Sequence, residues 1–329
     1  MIRLKHLVLL AGACALATTA NAQERYRFGG GPSGGAWHPA ISAGTQILNK
    51  ELKGKVNFQY SPSAGSVANV RRVGQGEFAT SWGHVGQVWQ SWNGVGLFEK
   101  DGANKDFRII ANVRAQSQII AVLADSPIKS FADMKGKKVN LLARGTGSHV
   151  NCKNIFAALG LIDQIDQRNL GFRASGQALG DRQIDVYCSA GAPFTIPALT
   201  QLSISKPVRY ISMTEEEQKK VTSAHRFYVP VTIPVQKDVK GMDAPALSIA
   251  YDVWWIAHKK MSDDSIYNML KIIAAPENLK QLTKTARYWR DLSGNFNALK
   301  EHKIFVHPAA AKYWKERGVE IPGGVVKGY

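Results

Sequence analysis

The residues best suited to chemistry are a run of glycines and serines after the first predicted strand. Gly31-Pro32-Ser33-Gly34-Gly35 fits the G-x-S-x-G pattern of a nucleophile elbow, in which the central serine attacks a carbonyl carbon. A hydrolase using Ser33 would also need an acid and a histidine, and Asp252 with His258 or His302 are the candidates. Their spacing does not support such a triad, and no earlier loop is present to supply the usual oxyanion donor. The hydrolase is therefore kept as an alternative.

The same loop contains Gly29-x-Gly31-x-x-Gly34, the spacing of a dinucleotide-binding fingerprint. That motif also requires an acid at the end of the next strand, where it holds the ribose hydroxyls. The next predicted strand ends instead at Tyr60-Ser61. We therefore predict no bound nucleotide and no other cofactor.

A third interpretation is an anion site built from backbone N–H groups. Glycines and serines at the start of a helix leave these groups free, and the helix dipole favours a carboxylate or phosphate there. Three loops have this composition, over 33–36, 63–67 and 144–148. One such loop is most often an ordinary turn and cap, whereas three of them, in both halves of the chain, indicate an organic anion site. The residues expected to contact the anion are Ser33, Gly34, Ser63, Gly65, Ser66, Val67, Thr146 and Ser148.

Polar side chains beside these loops could complete the site. Arg144 adjoins a glycine loop and could clamp a carboxylate with two hydrogen bonds, or it could be a solvated surface arginine. His38 and His84 could hydrogen-bond a ligand oxygen. Two histidines without carboxylates nearby make a poor metal site, so we predict no metal.

Four tryptophans lie on or near the loops of the first half. Trp37 and Trp82 are positioned to stack on a ligand. Trp89 and Trp92 are three residues apart, which favours packing on one face of a helix. We therefore count Trp37 and Trp82 as candidate site residues and Trp89 and Trp92 as core.

Strand and helix signals alternate along the chain, which is typical of an α/β protein with a mostly parallel sheet. The predicted elements are strands over 26–28, 55–60, 137–142 and 184–188, and helices over 37–52, from a cap at Ser66, and over 148–159. In open sheets of this kind, ligands bind at the loops beyond the carboxyl ends of the strands. The loop after the strand over 184–188 therefore adds Ala190 and Gly191 to the candidates.

Two long apolar stretches, 108–124 and 247–258, fall where the two halves of the chain would join. A chain that leaves one domain, builds a second and then returns is typical of a hinged protein with a cleft between its domains. We expect domain 1 over 23–124 plus 248–329 and domain 2 over 125–247, each with its own sheet.

The first 22 of the 329 residues have the pattern of a secretory signal peptide. Arg3 and Lys5 precede an apolar stretch over 7–17, and Ala20-Asn21-Ala22 is an A-x-A cleavage site. We expect cleavage after Ala22, a periplasmic mature chain and no membrane span in it. Lipidation at Cys14 is an alternative, although the leucine usual three residues before such a cysteine is missing.

The composition is that of an ordinary globular protein, with 45% hydrophobic residues, and it excludes wholesale disorder and disulfide scaffolds. Removing the signal takes away Arg3 and Lys5 and no acid, so the net charge falls from +17 to +15. No run of five basic residues is present, so a nucleic-acid partner is not expected and anionic solutes are favoured. Cys152 and Cys188, the mature cysteines, either pair or are both buried thiols. We expect a monomer.

Several motifs in order resemble the TAXI family, the solute-binding proteins of one class of TRAP transporters. Five motifs carry the likeness: a glycine-rich loop with an aromatic pair, a G-S-V helix start, the strand and loop of the second domain, an I-D strand followed by a G-x-P loop, and an H-P-A helix near the end. These motifs stand at 28–39, 65–70, 133–148, 183–193 and 306–314. The resemblance covers nearly the whole mature chain.

This resemblance implies two hinged α/β domains of the periplasmic-binding-protein fold, with a small carboxylate enclosed between them. It also implies uptake driven by sodium ions or protons through a separate TRAP-type membrane permease, and no catalysis by the binding protein itself. A receptor of the same fold that feeds a signalling membrane protein is the alternative.

The sequence departs from this family where ligand specificity should lie. Trp37-His38 stands in place of the usual aromatic pair, the strand end reads Ser81-Trp82-Gly83-His84, and the second-domain loop carries Arg144. Additional indole surface and an additional cation would suit an aromatic or bulkier carboxylate.

Overall fold

The computed structural model describes residues 23–192 and 194–329. The predicted signal peptide, its cleavage site after Ala22 and the alternative at Cys14 lie outside these residues, as does Pro193. Within the described ranges, none of the helices combines the length and the hydropathy that crossing a membrane requires.

Strands and helices alternate as expected for an α/β chain. The strands are β1 (Glu24–Gly29), β2 (Val56–Ser61), β3 (Thr80–His84), β4 (Phe107–Leu123), β5 (Lys138–Asn140), β6 (Asp166–Arg168), β7 (Val186–Gly191), β8 (Val208–Tyr210), β9 (Val229–Ile233) and β10 (Ala246–His258). The helices are α1 (Trp37–Glu51), α2 (Ser66–Gly74), α3 (Val85–Asn93), α4 (Gly147–Ala158), α5 (Phe172–Gly180), α6 (Pro197–Ser203), α7 (Glu215–Ala224), α8 (Asp263–Ile273), α9 (Pro276–Thr285), α10 (Asn297–His302) and α11 (Pro308–Glu316). Short 3-10 helices lie at Gly96–Asp101, Ala132–Met134 and Arg287–Asp291.

All the strands belong to one mixed sheet. Its order is β2-β1-β3-β10-β4-β7-β5-β6, with β8 also paired to β4 and β9 also paired to β10. The outer strands β2, β1 and β3 at one end, and β7, β5 and β6 at the other, pair in parallel. The two central strands are antiparallel to each other and to their neighbours. The expected pair of separate sheets is thus joined into one.

The long apolar stretches form these two central strands. Each strand pairs with neighbours from both ends of the sheet. Residues 107–117 of β4 pair with β10, and residues 117–121 of β4 pair with β7. On β10, residues 246–250 pair with β9, and residues 253–257 pair with β3. Each central strand therefore changes its pairing partner partway along its length. These points lie several residues from the domain boundaries expected between residues 124 and 125 and between residues 247 and 248. The division into two domains remains a prediction.

Tryptophan side chains fill the core under the first helix. The ring of Trp289 packs edge-on against Trp82, with centroids 4.8 Å apart, and its Nε1 donates to the carbonyl of Ala40. Gly44 leaves room for this indole, since a Cβ there would lie 2.8 Å from it. Trp92 is buried against Phe107, as expected for a core residue. Each such ring contributes about 2 kcal/mol or more through burial of apolar surface.

One buried asparagine ties the first two loops to the sheet. Asn69 on α2 donates through Nδ2 to the carbonyls of Gly30 and Trp82, at 2.8 and 3.0 Å. Its Oδ1 accepts from the hydroxyl of Ser63 at 2.5 Å, and that hydroxyl accepts from the N–H of Gly65 at 3.0 Å. The loops after β1 and β2 are therefore held at a fixed distance by a single fully buried amide.

Replacing Asn69 with alanine should lower the free energy of unfolding by about 2 kcal/mol, because two buried carbonyls lose their donors. Urea unfolding measures this change as a lower midpoint at an unchanged slope. Asn268→Ala, on an exposed face of α8, is the matched control and should change stability by less than about 0.5 kcal/mol. Equal effects of the two substitutions would contradict this role for Asn69.

Candidate functional site: a pocket where helix N-termini converge

A pocket lies where loops from both ends of the sheet meet. Its empty volume is about 500 Å³, part of which is open to solvent. A cleft of this size suits a small ligand. Its wall is formed by Pro32, Gly35, Ala36, Trp37, Ala64, Gly65, Ser66, His84, Gln116, Thr146, Gly147, Ser148, Phe172, Ala190, Ala192, Thr195, Ile196, Pro197 and Tyr288.

The first turns of three long helices form part of this wall. They are the starts of α1 at Trp37, of α2 at Ser66 and of α4 at Gly147. The first N–H groups of a helix have no partner inside it, and the helix dipole places partial positive charge there. In α4 the hydroxyl of Thr146 caps the N–H of His149, which leaves the N–H groups of Gly147 and Ser148 for another acceptor. This arrangement suits an anion.

Two glycines allow α2 and α4 to approach each other closely. A Cβ on Gly147 would overlap Nδ1 of His84 and lie 2.7 Å from Cβ of Ser66. Gly65 precedes α2 with a φ of 112°, a conformation that side chains rarely adopt, and a Cβ on it would lie 3.8 Å from Cα of Thr146. The two helix starts therefore face one space.

The helix expected to be capped by Ser66 begins differently. Gly65 occupies the cap position, and no side chain caps the helix. The hydroxyl of Ser66 instead accepts from the N–H of His84 at 2.8 Å and donates to Oε1 of Gln87 at 3.2 Å. The expectation of a serine cap is wrong because this hydroxyl is used to hold β3 against α2.

His84 is the central side chain of the pocket. It is 4% exposed, and its ring lies 5.2 Å from that of Trp37 and 4.8 Å from that of Tyr251. Nδ2 of Asn151 approaches Nδ1 of His84 at 3.3 Å. Burial lowers the pKa of His84 to about 3, and the nearby side-chain amides of Gln116 and Gln87 act in the opposite direction. The imidazole is therefore neutral at physiological pH.

Two buried polar atoms in the wall have no hydrogen-bond partner among the described residues. They are Nε1 of Trp37 and Oε1 of Gln116, on side chains that are 7% and 3% exposed. Nε2 of Gln116 donates to the hydroxyl of Tyr288. Nε1 of Trp37 lies near that same hydroxyl and Oε1 of Gln116 lies near the ring of His84, in both cases outside hydrogen-bond geometry. Buried polar atoms are normally paired, so these two are available to a ligand.

No lining residue in the described part of the chain is an aspartate, glutamate, lysine or arginine. The nearby charge of Arg114 is used inside the protein, since it pairs with Asp291 at 2.9 Å and donates to the carbonyl of Arg287. These contacts hold the 3-10 helix that presents Tyr288 to the pocket. The positive potential of the pocket thus comes from helix ends.

Half of the residues expected from the sequence line the pocket. They are Trp37, Gly65, Ser66, His84, Thr146, Ser148 and Ala190. The other half lie outside its wall: Ser33, Gly34, Ser63, Val67, Trp82, Arg144 and Gly191. Binding by either group remains a prediction.

Arg144, considered from the sequence as a carboxylate clamp or a solvated arginine, lies outside the wall of the pocket. Its side chain is exposed, because the loop turns at Gly145 and presents Thr146 and Gly147 inward instead. Ser33 and Gly34 are exposed on the turn before α1 for a similar reason, with Gly34 lying beside the start of α5. These residues shape the rim of the pocket.

The remaining residues outside the wall support it from behind. The hydroxyl of Ser63 is used by Gly30 and Asn69, and Val67 packs in the core. Trp82 is fully buried beneath Trp37, with its ring edge-on at 5.8 Å, so it cannot stack on a ligand. Gly191 packs closely between the side chain of Ile119 and the backbone of Thr195, because a Cβ there would lie 2.3 Å from the first and 2.9 Å from the second.

The geometry does not assemble the hydrolase considered from the sequence. Within the ranges described, no hydrogen bond joins Ser33 to a histidine, and no cluster of three metal-ligating side chains is present. Nδ1 of His258 accepts from the N–H of Lys260, and the ring of His302 packs against Phe227 and Trp254. Neither histidine is therefore a partner for Ser33.

The pocket also contains residues that the sequence did not single out. Gln116 and Tyr288 come from the middle of β4 and from a short 3-10 helix, far from any glycine loop. Phe172, Thr195 and Ile196 come from the starts of α5 and α6. Gln116 could have been noticed as a polar residue within an otherwise apolar predicted strand. The sequence around Tyr288 has no feature that indicates a binding site.

A disulfide stabilises the side of the pocket formed by α4 and β7. It joins Cys152 on α4 to Cys188 on β7, the alternative in which the two mature cysteines pair. Nε2 of Gln118 lies 2.9 and 3.3 Å from the two sulfurs, and Oε1 of Gln118 accepts from the hydroxyl of Tyr251 at 3.0 Å. The start of α4 is therefore linked to both central strands.

The architecture is that of periplasmic binding proteins. The periplasmic binding protein BugD superposes with a TM-score of 0.54 at 13% identity, over 90% of this chain and 98% of its own. The alkanesulfonate-binding protein SsuA from Xanthomonas axonopodis pv. citri, bound to MOPS, gives 0.49 at 12% identity, over 93% and 96%. The aliphatic sulphonate binding protein SsuA from Escherichia coli gives 0.47 at 14% identity, over 91% and 95%. The likeness to BugD establishes this fold and nothing beyond it.

The family follows from the sequence itself. Residues 28–318 match the NMT1-like family. The chain belongs to that family, and the match extends from the end of β1 to the end of α11.

The buried neutral His84 makes stability depend on pH. The pKa of His84 is about 3 when folded and about 6.5 when unfolded, so the unfolded chain takes up the proton first as pH falls. Lowering the pH from 7 to 5 should therefore reduce the free energy of unfolding by about 2 kcal/mol through this histidine alone. His84→Gln should reduce the loss measured by urea unfolding by that amount. An identical loss in both proteins would contradict the assignment.

Proposed function

We propose that this protein is a periplasmic solute-binding protein that captures a small carboxylate in the pocket and delivers it to a membrane transporter. The observation that carries the proposal is the convergence of three helix N-termini on a buried space whose wall has no charged side chain. Family membership and the binding-protein fold support it. The residues proposed to contact the ligand are Trp37, Gly65, Ser66, His84, Thr146, Ser148 and Ala190.

The electrostatics favour an anion over a neutral solute. Each helix start places roughly half an elementary charge at the pocket and contributes about 0.3–1 kcal/mol at an exposed site, more where water is excluded. The N–H groups of Gly147 and Ser148 add directional hydrogen bonds to a carboxylate oxygen. Because the pKa of His84 is about 3, the imidazole stays neutral near pH 7 and should add no pH dependence to carboxylate binding there.

The pocket walls come from loops far apart in the sequence, which supports binding by closure. Gly34 from the first loop lies against the start of α5, and Gly147 lies against His84 and Ser66. A ligand that contacts both sides stabilises the form in which those contacts exist together. The same geometry leaves Ser33 outside the pocket, so we propose no catalytic step.

For the partner, we propose a TRAP-type permease. The support is the resemblance of the segments over 28–39 and 306–314 to the TAXI family. The predicted signal over 1–22 and the net charge of +15 after its removal agree with capture of anions in the periplasm. Among the structures of similar fold, one is titled a putative L-cystine ABC transporter protein, so an ABC transporter is the competing partner. A signalling membrane protein is the third.

Ligand capture can be tested by thermal unfolding of residues 23–329 with a panel of carboxylates. An acid at about 100 times its dissociation constant should stabilise the protein by about 2.7 kcal/mol. Gly147→Ala should abolish this shift because its Cβ enters the space between His84 and Ser66. Mass spectrometry of the supernatant after denaturation identifies any solute already bound.

Gly323→Ala is the matched control, since nothing lies within 4 Å of a Cβ at that position. It should keep the full shift. No shift with any acid and no solute released on denaturation would contradict ligand capture. A full shift in Gly147→Ala would contradict the location.

The transporter class can be tested with vesicles that carry the permease encoded beside this protein. Uptake of the labelled acid should require this protein and an ion gradient, because TRAP permeases are secondary transporters. Uptake that needs ATP hydrolysis without an ion gradient would replace the TRAP proposal with an ABC transporter. A neighbouring sensor kinase in place of a permease would favour the signalling role.

A further inference from the structure

We infer that the ligand is a small hydroxy-carboxylate without an ammonium group. The inference rests on the proposed function and uses the same pocket. It combines the absence of charged side chains from the described wall with the two unpartnered buried atoms, Nε1 of Trp37 and Oε1 of Gln116.

The wall offers nothing to balance an ammonium group. An amino acid buried there would place its charged nitrogen among Trp37, Phe172, Tyr288 and small residues, with no carboxylate in the described lining. Burying an unpaired charge costs several kcal/mol. For the same reason a second carboxylate would lack a lysine or arginine partner. The ligand therefore carries one anionic group.

The two unpartnered atoms indicate that the ligand carries a hydroxyl group beside its anionic group. Nε1 of Trp37 is a donor only, and Oε1 of Gln116 is an acceptor only. A ligand hydroxyl can accept a hydrogen bond from the indole N–H of Trp37 and donate one to Oε1 of Gln116 at the same time. A keto oxygen can accept from the indole only, and an unsubstituted acid, with a hydrogen atom at this position, pairs with neither group. Each buried group left unpaired costs about 1–3 kcal/mol.

The hydroxyl position adjoins the carboxylate position. The ring of Trp37 lies 5.2 Å from that of His84, and His84 packs directly against Gly147 at the start of α4. Because Trp37, His84 and Gly147 adjoin one another in the wall, the hydroxyl and the carboxylate must be close together in the ligand, as they are in a 2-hydroxy acid.

The protein fixes the amide that would select this group. Nε2 of Gln116 donates to the hydroxyl of Tyr288, which directs Oε1 elsewhere. Tyr288 is held by its 3-10 helix, which Arg114 anchors through Asp291 and the carbonyl of Arg287. Gln116 is therefore a preorganised acceptor.

Calorimetric titration of residues 23–329 with four matched acids tests the inference. The acids are 2-hydroxypropanoate as separate enantiomers, 2-oxopropanoate, propanoate and alanine, followed by the same four with a longer alkyl chain. One 2-hydroxy acid should bind at least tenfold more tightly than the unsubstituted acid of equal length, which corresponds to about 1.4 kcal/mol. The oxo acid should lie between them, and the amino acid should bind most weakly.

Two variants assign that preference to the pocket. Trp37→Phe and Gln116→Met should each reduce the preference for the hydroxy acid over the unsubstituted acid about tenfold. A merely structural role would weaken both acids together. Trp89→Phe, a partly buried tryptophan outside the pocket, is the control and should keep the wild-type preference.

The titrations distinguish failure of this inference from failure of the proposed function. Equal binding of hydroxy and unsubstituted acids would overturn this inference and leave the proposed function intact. Tightest binding by the amino acid would do the same. Failure of every acid in the wild-type protein, with none released on denaturation, would overturn both.

Discussion

The antiparallel pairing of β4 with β10 is the interaction on which the rest of the structure depends. Because both strands are long and apolar, they continue through the centre of the sheet and give each end a neighbour to pair with. Their central residues then bring β3, which ends at His84, and β7, which carries Ala190, to opposite sides of one space. The pocket lies at the point where the pairing partners change.

The positive potential of the pocket comes from backbone rather than from side chains. Three helix starts face it, whereas Arg114 is paired internally with Asp291 and Arg144 is exposed. A charge supplied by helix ends does not need a counter-ion when the pocket is empty. It also cannot move away when a ligand enters, so the site is preorganised for an anion.

Small residues and one neutral histidine make this convergence possible. Gly147 removes the side chain that would separate α4 from His84, and Gly65 adopts a backbone conformation that favours glycine. The depressed pKa of His84 keeps a second positive charge out of the same space. Asn69 and the Cys152–Cys188 disulfide brace the two sides from behind.

The sequence predicted the order of elements, the pairing of glycine loops with helix starts, and seven residues of the wall. These follow from local rules, since a glycine–serine loop and an amphipathic helix can be recognised without their surroundings. Arg144 and Trp82 lie outside the wall because the direction of a side chain depends on tertiary packing. Gln116 and Tyr288 were missed because they meet only after β4 pairs and the 3-10 helix docks. The single joined sheet likewise depends on long-range pairing.

The most direct test of the central claim compares a bound acid with its neutral amide. The two have nearly the same shape, and they differ in the charge that the helix starts should recognise. Calorimetric titration of residues 23–329 should give binding for the tightest carboxylate of the panel and a loss of at least a hundredfold, about 2.7 kcal/mol, for its primary amide. Equal affinity for acid and amide would show that the converging helix starts do not recognise an anion.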